Sequence, residues 1–245
     1  MKAIILAAGK GTRLQSEQSE LPKALRQLNG KPLISYVLEN LKFIPKEDTA
    51  IVVGFLKEKV METVGGGYRY AEQKFLSGTA KAALCAEPLF GNYSGPILVC
   101  YCDMPFLRRE TYREMFETHI GADAGHTLLA GRDDPIPPYG RLIYDESGNL
   151  SDIIEESACS EAQKKIPEVN VGVQVLQSPG MWAWLAKIDN DNPKREYYLT
   201  SVVRVLAKEN ITQKVVTLKD PVEMMGVNTM EDLQKAEEII QSTQW

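Results

Sequence analysis

An apolar strand pattern over residues 2–7 runs straight into Gly9-Lys10-Gly11, and the same alternation of short apolar run and helical segment continues down the chain. Apolar runs of strand length, separated by segments of helical period, need helices over both faces of a sheet. This predicts an α/β fold with a largely parallel sheet. Strand candidates after the first are residues 50–53, 97–101, 127–130, 141–144, 169–176 and 215–218. Helix candidates are 32–41, 78–87, 109–119, 197–208 and 230–241; in the first, Leu33, Tyr36, Val37 and Leu41 share one face. A chain of 245 residues with 44% hydrophobic content can bury one large core. No repeat or low-complexity stretch divides it. The proline-rich segment 133–138 reads as a loop bordering a site.

Charge and cysteine content narrow the function. A formal net charge of −5 argues against a nucleic-acid surface, whereas a small polyanion held by a few local cations stays compatible. Cys85, Cys100, Cys102 and Cys159 have no paired metal-ligand spacing, and a chain this long needs no disulfide staples. They read as reduced thiols of a cytoplasmic protein, with Cys100 and Cys102 on one strand face either side of Tyr101. The apolar stretch 3–8 is too short for a secretory signal or a membrane span, so neither targeting nor anchoring is expected.

Two segments carry chemical signals. Leu6-Ala7-Ala8-Gly9-Lys10-Gly11-Thr12-Arg13 follows the first strand, where small residues let backbone N–H groups approach a phosphate and Lys10 and Arg13 add charge. The spacing matches neither the Walker form nor the dinucleotide fingerprint, which would need glycine in place of Leu14. A tight strand-to-helix turn with exposed cations explains it equally well. The second is Leu21-Pro22-Lys23-Ala24-Leu25, whose apolar residues can pin a lysine within reach of a triphosphate. Alone, Lys23 reads as a solvated surface charge.

Together these two segments resemble the uridyltransferase domain of bifunctional N-acetylglucosamine-1-phosphate uridyltransferases, in the sugar-phosphate nucleotidyltransferase family. Further motifs follow in the same order as far as Leu233: Gln73 with Gly78-Thr79, Cys102-Asp103-Met104-Pro105, Tyr139-Gly140-Arg141, Ile154-Glu155, Glu168-Val169-Asn170, Tyr197-Tyr198-Leu199-Thr200 and Gly226-Val227-Asn228. The resemblance implies a three-layer α/β/α, Rossmann-like nucleotidyltransferase domain with a mixed, mostly parallel sheet. Its nucleotide-binding half would span about 1–124, a sugar-binding lobe about 125–222 and a C-terminal helix about 230–241, with no β-helix acetyltransferase domain.

It also implies roles. Lys23, Arg13 and Asp103 would be catalytic. Leu6, Ala7, Ala8, Gly9, Lys10, Gly11, Thr12, Gln73, Gly78 and Thr79 would bind the nucleotide, and Gly140, Glu155, Asn170 and Thr200 the sugar. Asp103 and Asn228 would hold Mg2+, a hard ion that needs few protein ligands when phosphates and water complete its shell. The expected substrates are a nucleoside triphosphate, UTP favoured, and N-acetylglucosamine 1-phosphate. The attacking phosphate oxygen is already ionised, so the presence of just two histidines, His119 and His126, is no obstacle.

Bland readings stand beside these: Asp103 as a strand-ending turn residue, Asn170 and Asn228 as turn asparagines, Glu155-Glu156 as a solvated pair and Tyr198 as core. Four departures from the family pattern bear on the sugar more than on the reaction. They are three extra residues between Arg13 and Lys23, Cys102 for glycine, Ser157-Ala158-Cys159 for Lys-Asp-Ala, and Ser201 for aspartate. Rival functions are a CTP-using relative, a nicotinamide-dependent oxidoreductase and a non-catalytic nucleotide-binding regulator.

Overall fold

The computed structural model describes residues 1–11, 14 and 21–242. The strands are β1 (Lys2–Ala7), β2 (Gln27–Leu28), β3 (Lys31–Pro32), β4 (Thr49–Val53), β5 (Arg69–Glu72), β6 (Gly95–Tyr101), β7 (His126–Gly131), β8 (Arg141–Tyr144), β9 (Leu150–Ile154), β10 (Val169–Ser178) and β11 (Gln213–Thr217). The α-helices are α1 (Leu33–Asn40), α2 (Lys57–Val64), α3 (Thr79–Leu84), α4 (Glu87–Phe90), α5 (Arg109–Gly121), α6 (Gly180–Ala186), α7 (Val202–Lys208) and α8 (Met230–Ser242). A nine-stranded sheet runs β11-β7-β10-β6-β1-β4-β5, with β8 and β9 attached beside β10. Strands β6, β1, β4 and β5 are parallel, as are β7 and β11, while β10 runs against both its neighbours. The sheet is therefore mixed and mostly parallel.

The period-two alternation of each central strand creates the two faces. From β1, Ala3, Ile5 and Ala7 enter one core with Ile34 and Val37 of α1 and Tyr112, Met115 and Phe116 of α5. Ile4, Leu6 and Ala8 enter the opposite core with Ala80 and Ala83 of α3, Phe90 of α4 and Met181 of α6. Helices on both faces make the three-layer α/β/α architecture. Cys100 and Cys102 point into the first core as their spacing predicts, and burial pushes the Cys102 thiol up to about 12. A third cluster of Leu28, Leu33, Phe106, Val227, Leu233 and Ala236 docks α8 against the start of α1.

Two predicted helices differ. In the 78–87 segment α3 ends at Leu84, and a separate helix, α4, starts at Glu87 with Pro88 in its first turn, where the missing N–H has no intrahelical partner to lose. In the 197–208 segment, α-helix starts at Val202 after a 3-10 turn over Leu199–Ser201. Tyr197 stays outside the helix because its N–H donates to the Ser77 carbonyl and its own carbonyl accepts from Ala80 N–H, both at 2.9 Å. Strand β5 escapes the apolar pattern because it is an edge strand with Arg69 and Glu72 exposed.

His126 begins β7 fully buried, between Gln213 and Gln174. Gln213 Nε2 donates to the Leu150 and Val203 carbonyls, so its Oε1, 2.9 Å from His126 Nδ1, is the acceptor there. Burial lowers the imidazole pKa to about 4 from 6.5, so the ring is neutral in the folded protein at neutral pH. The unfolded chain binds that proton below pH 6.5 and the folded chain resists it until about pH 4. This group's stability is thus complete above pH 6.5 and lost as pH falls through that window. The loss is about 3 kcal/mol. Denaturant unfolding between pH 7 and 4, with NMR titration of the ring, checks this; a folded-state titration near 6.5 contradicts it.

Candidate active site

The carboxyl ends of β1 and β6 open into two adjoining cavities, where ligands of open α/β sheets bind. The smaller, about 300 Å³, is lined by Leu6, Ala8, Gly9, Gln73, Leu76, Gly78 and Glu196 among others. The larger, about 900 Å³, extends over Glu155, Asn170, Gly172, Tyr198, Thr200 and Asn228. Lys23, Thr79, Tyr101 and Asp103 line both.

The shared wall is built by local bonding. Pro22 is extended and starts a 3-10 turn over Lys23–Leu25; Ala24 and Leu25 are buried in the first core, so Lys23 is held from both sides. Cys102 N–H continues the β1–β6 pairing by donating to the Leu6 carbonyl at 3.2 Å, and the chain then turns, presenting Asp103. The Asp103 carbonyl accepts from Val227 N–H at 2.8 Å, which stitches the Asn228 segment to this turn. Asn228 is fixed from its other side by the N-terminus of α8. Asp232 Oδ2 accepts from the Asn228 and Thr229 N–H groups at 2.9 Å, and Thr229 Oγ1 accepts from Asp232 N–H at 3.1 Å, forming a capping box. Three distant segments thereby converge: Lys23 Nζ donates to Asp103 Oδ2 and, at 2.8 Å, to Asn228 Oδ1. Two hard oxygens face a single cation position, at present filled by the ammonium.

Gln73 is 6% exposed, and its Nε2 donates to the Gly78 carbonyl at 3.0 Å, which fixes the direction of the amide. Gly78 has φ +115, and a Cβ there would lie 2.4 Å from the Tyr197 carbonyl oxygen. Gly78→Ala is expected to cost about 2 kcal/mol or more, the strain of the backbone alone, before the clash is counted. Urea denaturation checks this; wild-type stability would contradict it.

In the larger cavity Thr200 Oγ1 donates to Glu155 Oε1 at 3.0 Å. Gly140 sits beside them: a Cβ there would be 2.8 Å from Ile153 Cγ2 and 3.6 Å from Glu155 Oε2. Asn170 N–H donates to the Gly140 carbonyl at 2.7 Å, and Asn170 Oδ1 accepts from Gly172 N–H at 2.9 Å, the local turn bond of the bland reading. That turn accompanies a register shift in β10 and lets Gly172 approach the Tyr101 ring.

Most of the residues singled out from sequence come together here, but not all. Ala7 points into the core on the opposite face. Lys10 is exposed, with its ammonium 6.0 Å from the Phe55 ring centre, and Gly11 serves as a turn with φ +67. Thr12 and Arg13 lie outside the described residues. The Thr79 hydroxyl accepts from Leu199 N–H at 2.8 Å. Tyr101 and Glu196 were missed, although Tyr101 precedes Asp103 on the same strand end; burial raises the Tyr101 phenol well above its ordinary range. Among the described residues there is no group of three or more His, Cys, Asp or Glu placed to hold a metal, so a metal here has the Asp103–Asn228 pair alone.

The sequence model of the MobA-like NTP transferase domain matches residues 3–168. The chain belongs to that family. Its relatives include the bifunctional protein GlmU of Limosilactobacillus fermentum, 36% identical over 239 residues, and that of Caldanaerobacter subterraneus subsp. tengcongensis, 35% identical over 239 residues. These alignments cover 98% and 97% of this chain but 52% and 51% of the relatives, so the chain spans about half their length. A crystal structure of UDP-glucose pyrophosphorylase complexed with UDP-glucose superposes with a TM-score of 0.77 at 19% identity, covering 98% of both chains, a likeness of fold. No helix among the described residues of this NTP transferase domain is long and apolar enough to cross a membrane.

Proposed function

We propose that this NTP transferase domain is a magnesium-assisted sugar-phosphate nucleotidyltransferase that joins UTP to N-acetylglucosamine 1-phosphate and releases pyrophosphate. The observation that carries the proposal is the pair of cavities with Lys23 and Asp103 in their common wall. Ligands held one in each cavity would meet at that wall, where an in-line displacement between two anions needs positive charge. Family membership and the GlmU relatives support the same reaction class.

The polar groups support the particular substrates. With its Nε2 directed at Gly78, Gln73 offers Oε1 as an acceptor that suits the N3–H of uracil. With its Oδ1 committed to Gly172, Asn170 offers its amide N–H to a sugar hydroxyl or acetamide oxygen, and the Glu155 carboxylate accepts from hydroxyls. Asp103 and Asn228 fit magnesium, since both present hard oxygens that already converge on one cation. A magnesium ion bound there would supply charge neutralisation at the phosphates. Lys23 would orient the triphosphate and stabilise charge that builds on it in the transition state. The attacking phosphate is ionised at neutral pH, so no residue need remove a proton.

Pyrophosphate release across UTP, CTP, GTP, ATP and dTTP with common hexose 1-phosphates, with mass detection of the nucleotide sugar, tests this. UTP with N-acetylglucosamine 1-phosphate is expected to stand well above its neighbours, because a site built on specific polar contacts rejects analogues lacking them. A purine preference overturns the base assignment. A different sugar with UTP overturns the sugar alone and points to Ser157 and Ala158, which line the larger cavity. No turnover with any pair overturns the proposal.

A further inference from the structure

Glu196 lines the nucleotide-side cavity, and its carboxylate has no hydrogen-bond or ion-pair partner among the described residues. Its backbone is tied down. Asn192 Oδ1 accepts from Glu196 N–H at 3.2 Å, and Asn192 Nδ2 donates to the Glu196 carbonyl at 2.6 Å. The next residue, Tyr197, is bonded on both backbone groups to the Ser77–Ala80 segment beside Gly78. Tyr198, two residues further on from Glu196, lines the larger cavity, so this short segment borders both cavities. An unpaired carboxylate in a cavity for a polyanion opposes binding unless the ligand brings it hydrogen-bond donors. On the proposed function, which this inference presupposes, the ligand is a uridine triphosphate. Its donors are the base N3–H, which faces Gln73, and the two ribose hydroxyls.

We propose that Glu196 is a specificity-determining residue that accepts hydrogen bonds from the ribose hydroxyls and so selects ribonucleotides over deoxyribonucleotides. A vicinal diol presents two parallel donors, which a carboxylate accepts through both oxygens. Asn192 acts through Glu196 as a positioning residue, holding the backbone from which the carboxylate projects.

Calorimetric binding of UTP, 2′-deoxy-UTP and 3′-deoxy-UTP, with magnesium and without sugar phosphate, tests this without requiring turnover. The wild-type protein is expected to bind UTP about ten- to a hundredfold more tightly than at least one deoxy analogue. Glu196→Ala and Glu196→Gln should reduce UTP binding while leaving that analogue unchanged or somewhat tighter, because the opposing charge is gone, so the preference collapses toward parity. Asn192→Ala should reduce the preference part of the way. Thermal melting of each variant separates lost folding from lost discrimination. Wild-type protein that binds UTP and both analogues equally overturns the role of Glu196 and leaves the proposed function standing. A preference that survives in folded Glu196→Ala does the same. Failure of UTP to bind overturns the proposed function and this inference with it.

Discussion

Asp103→Ala is expected to lower kcat by about three orders of magnitude while leaving the melting temperature within a few degrees of wild type. The carboxylate is one of two oxygens that converge on the cation position, and the one that carries charge. Charge opposite developing phosphate charge counts most in the transition state, so the loss should fall on kcat more than on KM. Folding should survive because what stitches the 103 turn to the 227 segment is the Asp103 backbone carbonyl, which alanine retains. Asn228→Ala removes a neutral ligand and should be milder. Steady-state kinetics with a magnesium titration, beside a melting curve, separate these effects. A folded Asp103→Ala protein with near wild-type magnesium-dependent turnover would remove Asp103 from the reaction.

Elements buried on both faces were readable in the sequence because their side chains had to be apolar throughout. Strand β1 matches its predicted bounds, and β4, β6, β7 and β10 are each the predicted run with one or two residues added. What escaped was set by neighbours and not by composition. Strand β5 pairs with β4 at the sheet edge and carries charges, and β9 interrupts its apolar residues with Ser151 and Asp152. The exclusion of Tyr197 from the helix follows from two bonds to the Ser77–Ala80 segment, well over a hundred residues earlier, which no local pattern encodes.

The site divides the same way. Its motifs carried the residue types, but the convergence of Lys23, Asp103 and Asn228 depends on the Val227 to Asp103 bond and on the capping box at Thr229 and Asp232. A helix at 230–241 was read from the sequence, but this capping box and its consequence for Asn228 were not. Asn170 shows the opposite case: its side chain does make the local turn bond of the bland reading, and it still lines the larger cavity. Glu196 gave no signal, since one acidic residue in a polar stretch reads as solvated until the cavity beside it is known.

Lys23→Ala and Gln73→Ala should fail differently, because the proposed function sets their groups against different parts of one nucleotide. Lys23 stands in the wall common to both cavities, and its ammonium is directed by two oxygens and not by a base. Its loss should lower turnover by about a hundredfold with every triphosphate that the enzyme accepts. It should also leave Asp103 without its cation in the ligand-free protein, so magnesium alone should raise the melting temperature of Lys23→Ala more than that of wild type. Gln73 acts by geometry. Its amide is aimed by the Gly78 carbonyl, and alanine removes both the aim and the acceptor. The UTP-to-CTP ratio of kcat/KM should therefore fall toward parity in Gln73→Ala, while it stays near the wild-type value in Lys23→Ala. Kinetics of both variants with both pyrimidines, and melting curves with and without magnesium, provide four comparisons. Equal losses with both nucleotides in both variants would mean that neither side chain reads the base. A Lys23→Ala protein whose melting temperature ignores magnesium would mean that Asp103 and Asn228 do not form the metal site.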